Sequence, residues 1–527
     1  MAASRNRGCV AAGHPITAEA GAGILRAGGN AVDAAVAAAC MSFLAEPVLT
    51  GAGGGGFMLL CRPDGASLLL DGFARMPAGL GESTPPEDFK AIPVDFGDTV
   101  QTFRIGRGSV ATPGLMSMLF SAQQRYGRIP MREVLAPAMH AARHGVTLNA
   151  LQASFIHLLD PILSSTGPCK AMHSSKDGLL KAGESFSNPD LANLLELLCM
   201  EGVDEMYLGD VARSIVSACQ PGGLLGMGDL AACRVIERRP LNIKALNGVL
   251  LSNPPPSSGG PLIGFSLLLL EEMRRQGHGM DASLLTECLR ESSLARNADF
   301  DAMVHRHGFA DDFLHKDRID RHAVGLAERI SRGGARSSKE SANRHGSTTH
   351  ISVLDKDGMA VSMTTSNGEG SGIMVPGTGI HLNNMLGEED INPLGFHQLK
   401  AGETLSSMMA PSILLRDGRP ALILGSGGSN RLRGAILQVL LRHAERSEPI
   451  EKAVHAPRLH PEGYLLDAEP GALNAAGYNA LRQLGWKIRQ WSDTSVYFGG
   501  VHAISMSQHG IVEAAGDPRR GGAVAWA

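Results

Sequence analysis

The spacing of apolar positions changes several times along the chain, and each change marks an element. Residues 17–44 read as two helices: Thr17 is the predicted cap, Gly28-Gly29-Asn30 breaks the run, and Ala31–Leu44 continues as an alanine-rich helix. That second helix is apolar on every side, which predicts full burial. A glycine run, Gly51-Ala-Gly-Gly-Gly-Gly56, leads into a strand-like Phe57-Met-Leu-Leu60. Helical periodicity returns over 114–145, 188–200 and most of 261–334. Between them, Asn253-Pro-Pro-Pro-Ser-Ser-Gly-Gly260 must be a rigid loop, because consecutive prolines exclude both helix and central strand.

The sharpest change lies near residue 348. Residues 331–347 are polar, rich in glycine, serine and basic residues, and nearly without apolar anchors, so an exposed mobile linker is expected. Alternation of period two then begins at once. Ile351–Leu354 and Ala360–Thr364 read as strands joined at Asp355-Lys-Asp-Gly358, a strong hairpin signal. Strands and helices mix without a regular βαβ rhythm, which predicts an α+β fold. No internal repeat is seen.

Composition narrows the class. Of 527 residues, 43% are hydrophobic and 19% charged, enough for a large core and against global disorder. The net charge of −4 gives no pull toward nucleic acid or an anionic membrane. The eight cysteines are scattered with no C-x-x-C pair, which predicts reduced, buried thiols rather than a disulfide frame or zinc site. The first fifteen residues have no apolar h-region, and the longest apolar stretch, 31–44, contains Asp33 and is too short to span a bilayer. A cytoplasmic protein without membrane, nucleic-acid or cofactor partners is expected.

One position carries chemistry. A threonine hydroxyl is a weak nucleophile near neutral pH and needs a base, which a free amine on the same residue can supply. Exposing that amine at Thr348 requires a cut at Ser347–Thr348, and a mobile segment running into a rigid strand is the setting for it. The bland reading is a threonine at the start of a strand, and on local sequence alone it is the commoner one.

Wider matches change that balance. Thr348-Thr349-His350-Ile-Ser-Val-Leu-Asp-Lys-Asp-Gly resembles the start of the small subunit of gamma-glutamyltranspeptidases. Gly29-Asn-Ala-Val-Asp-Ala-Ala-Val-Ala37, Gly53-Gly-Gly-Gly-Phe-Met58, Pro254-Pro-Pro-Ser-Ser-Gly-Gly260, Leu405-Ser-Ser-Met408, Ala456-Pro-Arg458 and Asp517-Pro-Arg519 follow in family order over nearly the whole chain. The resemblance implies a four-layer αββα N-terminal-nucleophile hydrolase. It implies self-cleavage into a large chain, 1–347, and a small catalytic chain, 348–527, which together form one intertwined heterodimer, with a dimer of heterodimers as a further expectation. It implies Thr348 as nucleophile, Ser366 and Asn367 as supporting residues, and Glu388, or Glu389 or Asp390 beside it, as the acid that grips a substrate amine. Ser406 and Ser407 would bind a carboxylate, and Gly427, Gly428 and Ser429 would form the oxyanion hole.

Three departures bear on substrate. The family pattern Asp-Phe-Arg-Glu-x-Ala-Pro reads here Asp71-Gly-Phe-Ala-Arg-Met-Pro77, so Phe73 stands where the carboxylate-binding arginine belongs, and Arg75 is the candidate replacement. The loop 365–372 is about two residues short of the family pattern. The stretch 384–406 is also short, which predicts an open pocket and hydrolysis rather than acyl transfer. The expected substrate is a small carboxylate-bearing amide: gamma-glutamyl compounds by default, oxamate (an intermediate of purine breakdown) as the alternative, with an inactive scaffold as the reading from another class. The glycine run nominally fits G-x-G-x-x-G but leads into a strand, not a helix, which argues against a dinucleotide site. No H-E-x-x-H and no G-x-S-x-G elbow is present.

Overall fold

In the computed structural model, which describes residues 4–5, 7–79, 86–96, 100–333 and 346–527, fourteen strands build two seven-stranded sheets. In chain order they are β1 (Ser4–Arg5), β2 (Cys9–Ala12), β3 (Gly55–Cys61), β4 (Ser67–Gly72), β5 (Ile236–Arg238), β6 (Leu241–Ala245) and β7 (Gly248–Ser252), followed by β8 (Thr349–Leu354), β9 (Ala360–Ser366), β10 (Ser412–Arg416), β11 (Arg419–Gly427), β12 (Gly500–Met506), β13 (Ile511–Ala515) and β14 (Ala523–Trp526). One sheet runs β5-β4-β3-β9-β8-β2-β14 and the other β1-β13-β12-β11-β10-β7-β6, every neighbouring pair antiparallel. Each sheet combines strands from both sides of residue 348. Two chains cut there could not part without breaking ladders in each.

The side-chain period of two divides the first sheet cleanly. Val10, Ala12, Met58, Leu60, Ile351, Val353, Val361 and Met363 pack into one apolar core; Cys9, Ala11, Phe57, Leu59 and Leu354 pack into the other. The first core is closed by helices α1 (Pro15–Arg26), α2 (Ala31–Ala45), α3 (Leu115–Tyr126), α4 (Met131–His144) and α5 (Pro189–Glu201). The second sheet is covered by α6 (Gly259–Arg275), α7 (Ala282–Ala295) and α8 (Arg431–Leu440). The result is the expected αββα order. Polar groups stitch the two sheets: Ser352 Oγ donates to the His502 carbonyl at 3.0 Å and Ser362 Oγ to that of Leu424 at 2.9 Å.

Most elements lie where apolar spacing put them. α2 is buried along its whole length, and Asn30 caps it in a reciprocal box with Asp33. The cap of α1 is a correction: His14, not Thr17, accepts from the Ile16 amide, with Pro15 in the first turn, while Thr17 turns its hydroxyl to Glu46 at 3.0 Å. The expected linker 331–347 lies mostly outside the described residues; a helix, Lys316–Arg332, reaches into its start. All eight cysteines are free thiols and seven are buried. Among the described residues no helix is long and apolar enough to cross a membrane.

Candidate active site

Thr348 stands immediately before β8, a strand held on both sides, by β9 and by β2. The chain passes unbroken from Ser347 into it. The Thr348 hydroxyl donates to the Ser347 carbonyl oxygen at 2.7 Å, and Ser366, the last residue of β9, donates its own hydroxyl to the same oxygen at 2.6 Å. The Ser347 carbonyl therefore carries two donors, and the candidate nucleophile lies beside it. Gly368 N–H donates to Ser366 Oγ at 3.0 Å, which orients that hydroxyl.

The Thr348 carbonyl is equally fixed. Arg520 donates from Nη1 to the Thr348 carbonyl at 3.2 Å. Gly427, at the end of β11, lies so close that a Cβ on it would fall 2.2 Å from the same oxygen. Only glycine fits that approach.

A cavity of about 40 Å³ opens next to Thr348. Ser347, Ser366, Glu388, Asp390, Ser407 and Ser429 supply its polar wall, and Phe73, Met385, Ile391, Met408, Met409 and Leu432 its apolar one. Glu388 is half-buried, and its Oε1, shielded from solvent, has no hydrogen-bond partner. Burial, then the facing carboxylates of Glu369 and Asp390, push its carboxyl well above the usual range. Gly368 permits this crowding, since a Cβ there would meet Glu388 Oε1 at 2.1 Å. Ser429 holds Asp390 through its hydroxyl.

Of the expected site residues, Thr348, Ser366, Glu388, Asp390, Ser407 and Ser429 share this cavity, and Gly427 borders Thr348. Others lie elsewhere. Arg75 is tied by its backbone to Thr112, and its guanidinium donates to the Arg234 carbonyl. It does not line the cavity; Phe73 does, stacked on Phe57 with ring centroids 5.1 Å apart. Asn367 turns its amide to the His381 carbonyl at 3.1 Å. Ser406 Oγ pairs with Ser258 Oγ at 2.8 Å, whereas Ser407 reaches the cavity. Glu389 lines a separate cleft with Arg290, Arg296 and Arg433. Gly428 takes φ +121° and accepts from Arg431 N–H at 3.1 Å through its carbonyl, one residue beyond the contact with Thr348.

Three residues without an assigned role also meet here. Glu369 accepts from the Ser347 amide at 2.9 Å and from the Ser347 hydroxyl. It lies inside the short loop 365–372, whose departure from the family pattern was the available signal. Arg520 directly follows the Asp517-Pro-Arg519 motif. Glu46, between α2 and the glycine run, accepts from the hydroxyl of Thr349, the neighbour of Thr348, at 2.7 Å.

Glu46 supports a prediction. Burial raises its carboxyl to about 7, more than the Thr349 and Thr17 hydrogen bonds and Arg520 lower it. A carboxyl raised above its unfolded value stabilises the fold fully below about pH 4.3, and that contribution disappears as pH climbs through about 7. Denaturant melts at pH 5 and pH 8 should show wild type losing up to about 3 kcal/mol relative to Glu46→Gln. Parallel losses in the two proteins would refute the assignment.

With the geometry in place, relatives give it a family. The family model for gamma-glutamyltranspeptidase matches residues 17–527. The chain belongs to the gamma-glutamyltranspeptidase family. It is similar to a glutathione hydrolase proenzyme of Pseudomonas aeruginosa, 31% identical over 552 aligned positions that cover 98% of this chain and 94% of the relative. It is likewise similar to the acylase ACY 1 proenzyme of a Pseudomonas species, 30% identical with 97% and 92% covered. Among solved structures, a cephalosporin acylase from Bacillus halodurans superposes with a TM-score of 0.84 at 23% identity, covering 99% of this chain and 96% of that one, and so shares the fold. As a gamma-glutamyltranspeptidase-family member the chain is an enzyme of the amide hydrolase and transferase class.

Proposed function

We propose that the protein is a self-cleaving amide hydrolase whose nucleophile is Thr348. The observation that carries this reading is the scissile carbonyl of Ser347, flanked by the Thr348 hydroxyl and polarised by Ser366. In maturation, the Thr348 hydroxyl oxygen adds to the Ser347 carbonyl carbon, the Ser347–Thr348 C–N bond breaks, and the hydroxyl proton ends on the Thr348 nitrogen. Water then hydrolyses the ester, leaving a Ser347 carboxylate and a free Thr348 amine. In turnover that amine takes the Thr348 hydroxyl proton as the oxygen attacks the substrate amide and passes it to the leaving amine as the amide C–N bond breaks; water then hydrolyses the acyl ester, releasing the acid and restoring the Thr348 hydroxyl.

The acyl site is read from the cavity. The buried, unpartnered oxygen of Glu388, with Asp390 beside it, supports an acyl group carrying an ammonium, and Ser407 supports a carboxylate at its end. Gamma-glutamyl amides have both groups. The small volume of the cavity, about 40 Å³ with Phe73 in its wall, favours a second reading, a smaller acid amide such as oxamate. Two release assays on the purified enzyme decide between them: anilide cleavage from a gamma-glutamyl anilide and ammonia release from oxamate. Anilide cleavage is expected. Oxamate turnover with an inert anilide would establish the second reading instead.

A further inference from the structure

Ser347 has three polar groups, and residues of the 348–527 part hold all of them. Its carbonyl oxygen meets Thr348 and Ser366; its amide and hydroxyl both go to one carboxylate, Glu369. Glu369 is buried, its own amide donates to Asn384 Oδ1 at 2.8 Å, and it follows Gly368 at φ +62°, so the turn that carries it is pinned. A carboxylate has acceptors only, and both of its oxygens here face donors of a single residue.

We propose that Glu369 is a positioning residue for self-cleavage: its carboxylate clamps Ser347 by amide and hydroxyl and so sets the plane of the carbonyl that Thr348 attacks. This rests on the reading that Thr348 cuts before itself. Glu369 touches neither the attacking oxygen nor the carbonyl, so it acts through Ser347. Two anchors upstream of the carbonyl carbon remove the rotation that would carry it away from Ser366 and the Thr348 hydroxyl. Precise placement of the reacting groups is worth large rate factors in intramolecular attack.

The charges around the clamp give it a pH signature. Burial is the largest influence on Glu369 and raises its carboxyl; the two Ser347 hydrogen bonds, then Arg520 and Arg431, favour its ionised form and offset part of that rise, and the Glu388 carboxyl faces it. A protonated carboxyl would set an O–H against a donor of Ser347. The cut should therefore slow as pH falls through this raised value.

The test follows conversion of freshly refolded full-length chain to two bands on gels between pH 5 and 9, with N-terminal sequencing of the small band. Glu369→Gln keeps the shape but removes the charge and replaces the carboxylate oxygen that accepts from the Ser347 hydroxyl, and should slow the cut by roughly 10- to 100-fold and flatten the acid limb. Ser347→Ala removes one handle and should slow it by about 10-fold. The double variant Ser347→Ala/Glu369→Gln should be slowed less than the product of the single effects. Melting points and circular dichroism of each variant separate slow cutting from misfolding, and the non-multiplying pair would not arise from a general loss of structure. Cutting of Glu369→Gln at the wild-type rate, or independent multiplication of the two effects, overturns the clamp. A wild-type chain that stays whole, or is cut elsewhere, would overturn the Thr348 reading instead.

Discussion

Thr348→Ala should remain a single 527-residue chain and release no product from any amide. One hydroxyl would serve both maturation and turnover. Among the described residues two hydroxyls reach the Ser347 carbonyl: that of Thr348, which directly precedes the rigid strand β8 and adjoins the bond to be cut, and that of Ser366 at the end of β9, which acts as a donor. In the mature enzyme the same oxygen would attack substrate and the freed amine would serve as its base, so a missed cut also withholds the base. Removing a covalent nucleophile leaves only binding and oxyanion effects, and losses on the order of 10⁶ in kcat are typical. Denaturing gels and Edman sequencing check the outcome: wild type should give a small band beginning Thr-Thr-His, and the variant one full-length band. A cut, active Thr348→Ala protein would end the mechanism. Thr348→Ser, which keeps a hydroxyl, should cut slowly and recover part of the activity.

The fold was legible where periodicity is strong. The all-round apolar 31–44, the hairpin at Asp355–Gly358 and the proline loop before α6 all follow from local rules, and the structure places them within a few residues. The site was legible only through motifs, and unevenly. Ser366 ends a strand and Thr348 directly precedes one, so strand alternation next to each fixes direction, and both reach the Ser347 carbonyl. Arg75 could not be read this way, because its backbone bonds to Thr112 and its guanidinium reaches Arg234, partners 37 and 159 residues away. Asn367 turned out to serve the His381 carbonyl for the same reason: long-range pairing, not spacing, sets where a loop side chain points. Glu369 was invisible because its partner, Ser347, belongs to a segment with no regular pattern. The recurring lesson is that strand positions carry their own orientation, whereas the shortened loop 365–372 had to be seen folded against Asn384 and Glu388 before its acid acquired a role.

Ser366→Ala tests the second half of the catalytic geometry. As Thr348 attacks, negative charge grows on the Ser347 carbonyl oxygen, and the Ser366 hydroxyl donates to it at 2.6 Å from a strand end that does not need to move. A donor aimed at a developing oxyanion in a buried site is worth roughly 10²–10³ in rate, about 3–4 kcal/mol. Alanine removes that donor and little volume, and the N–H of Gly368 that now points at Ser366 Oγ would lose its acceptor at a further cost of about 1 kcal/mol in stability. Self-cleavage should therefore slow by about 10²–10³, with the uncut chain folded and melting only a few degrees lower. Ser366→Thr, which keeps the hydroxyl and adds a methyl beside the scissile segment, should restore most of the rate. The comparison separates a polarising donor from a packing contact: if Ser366 only filled space, alanine and threonine would differ little in cleavage rate and both would track the melting point. Time courses of band conversion for the three proteins, read beside their thermal melts, give the answer directly, and a Ser366→Ala chain that cuts as fast as wild type would move the oxyanion donor to the Gly427–Ser429 backbone that borders Thr348 from the other sheet.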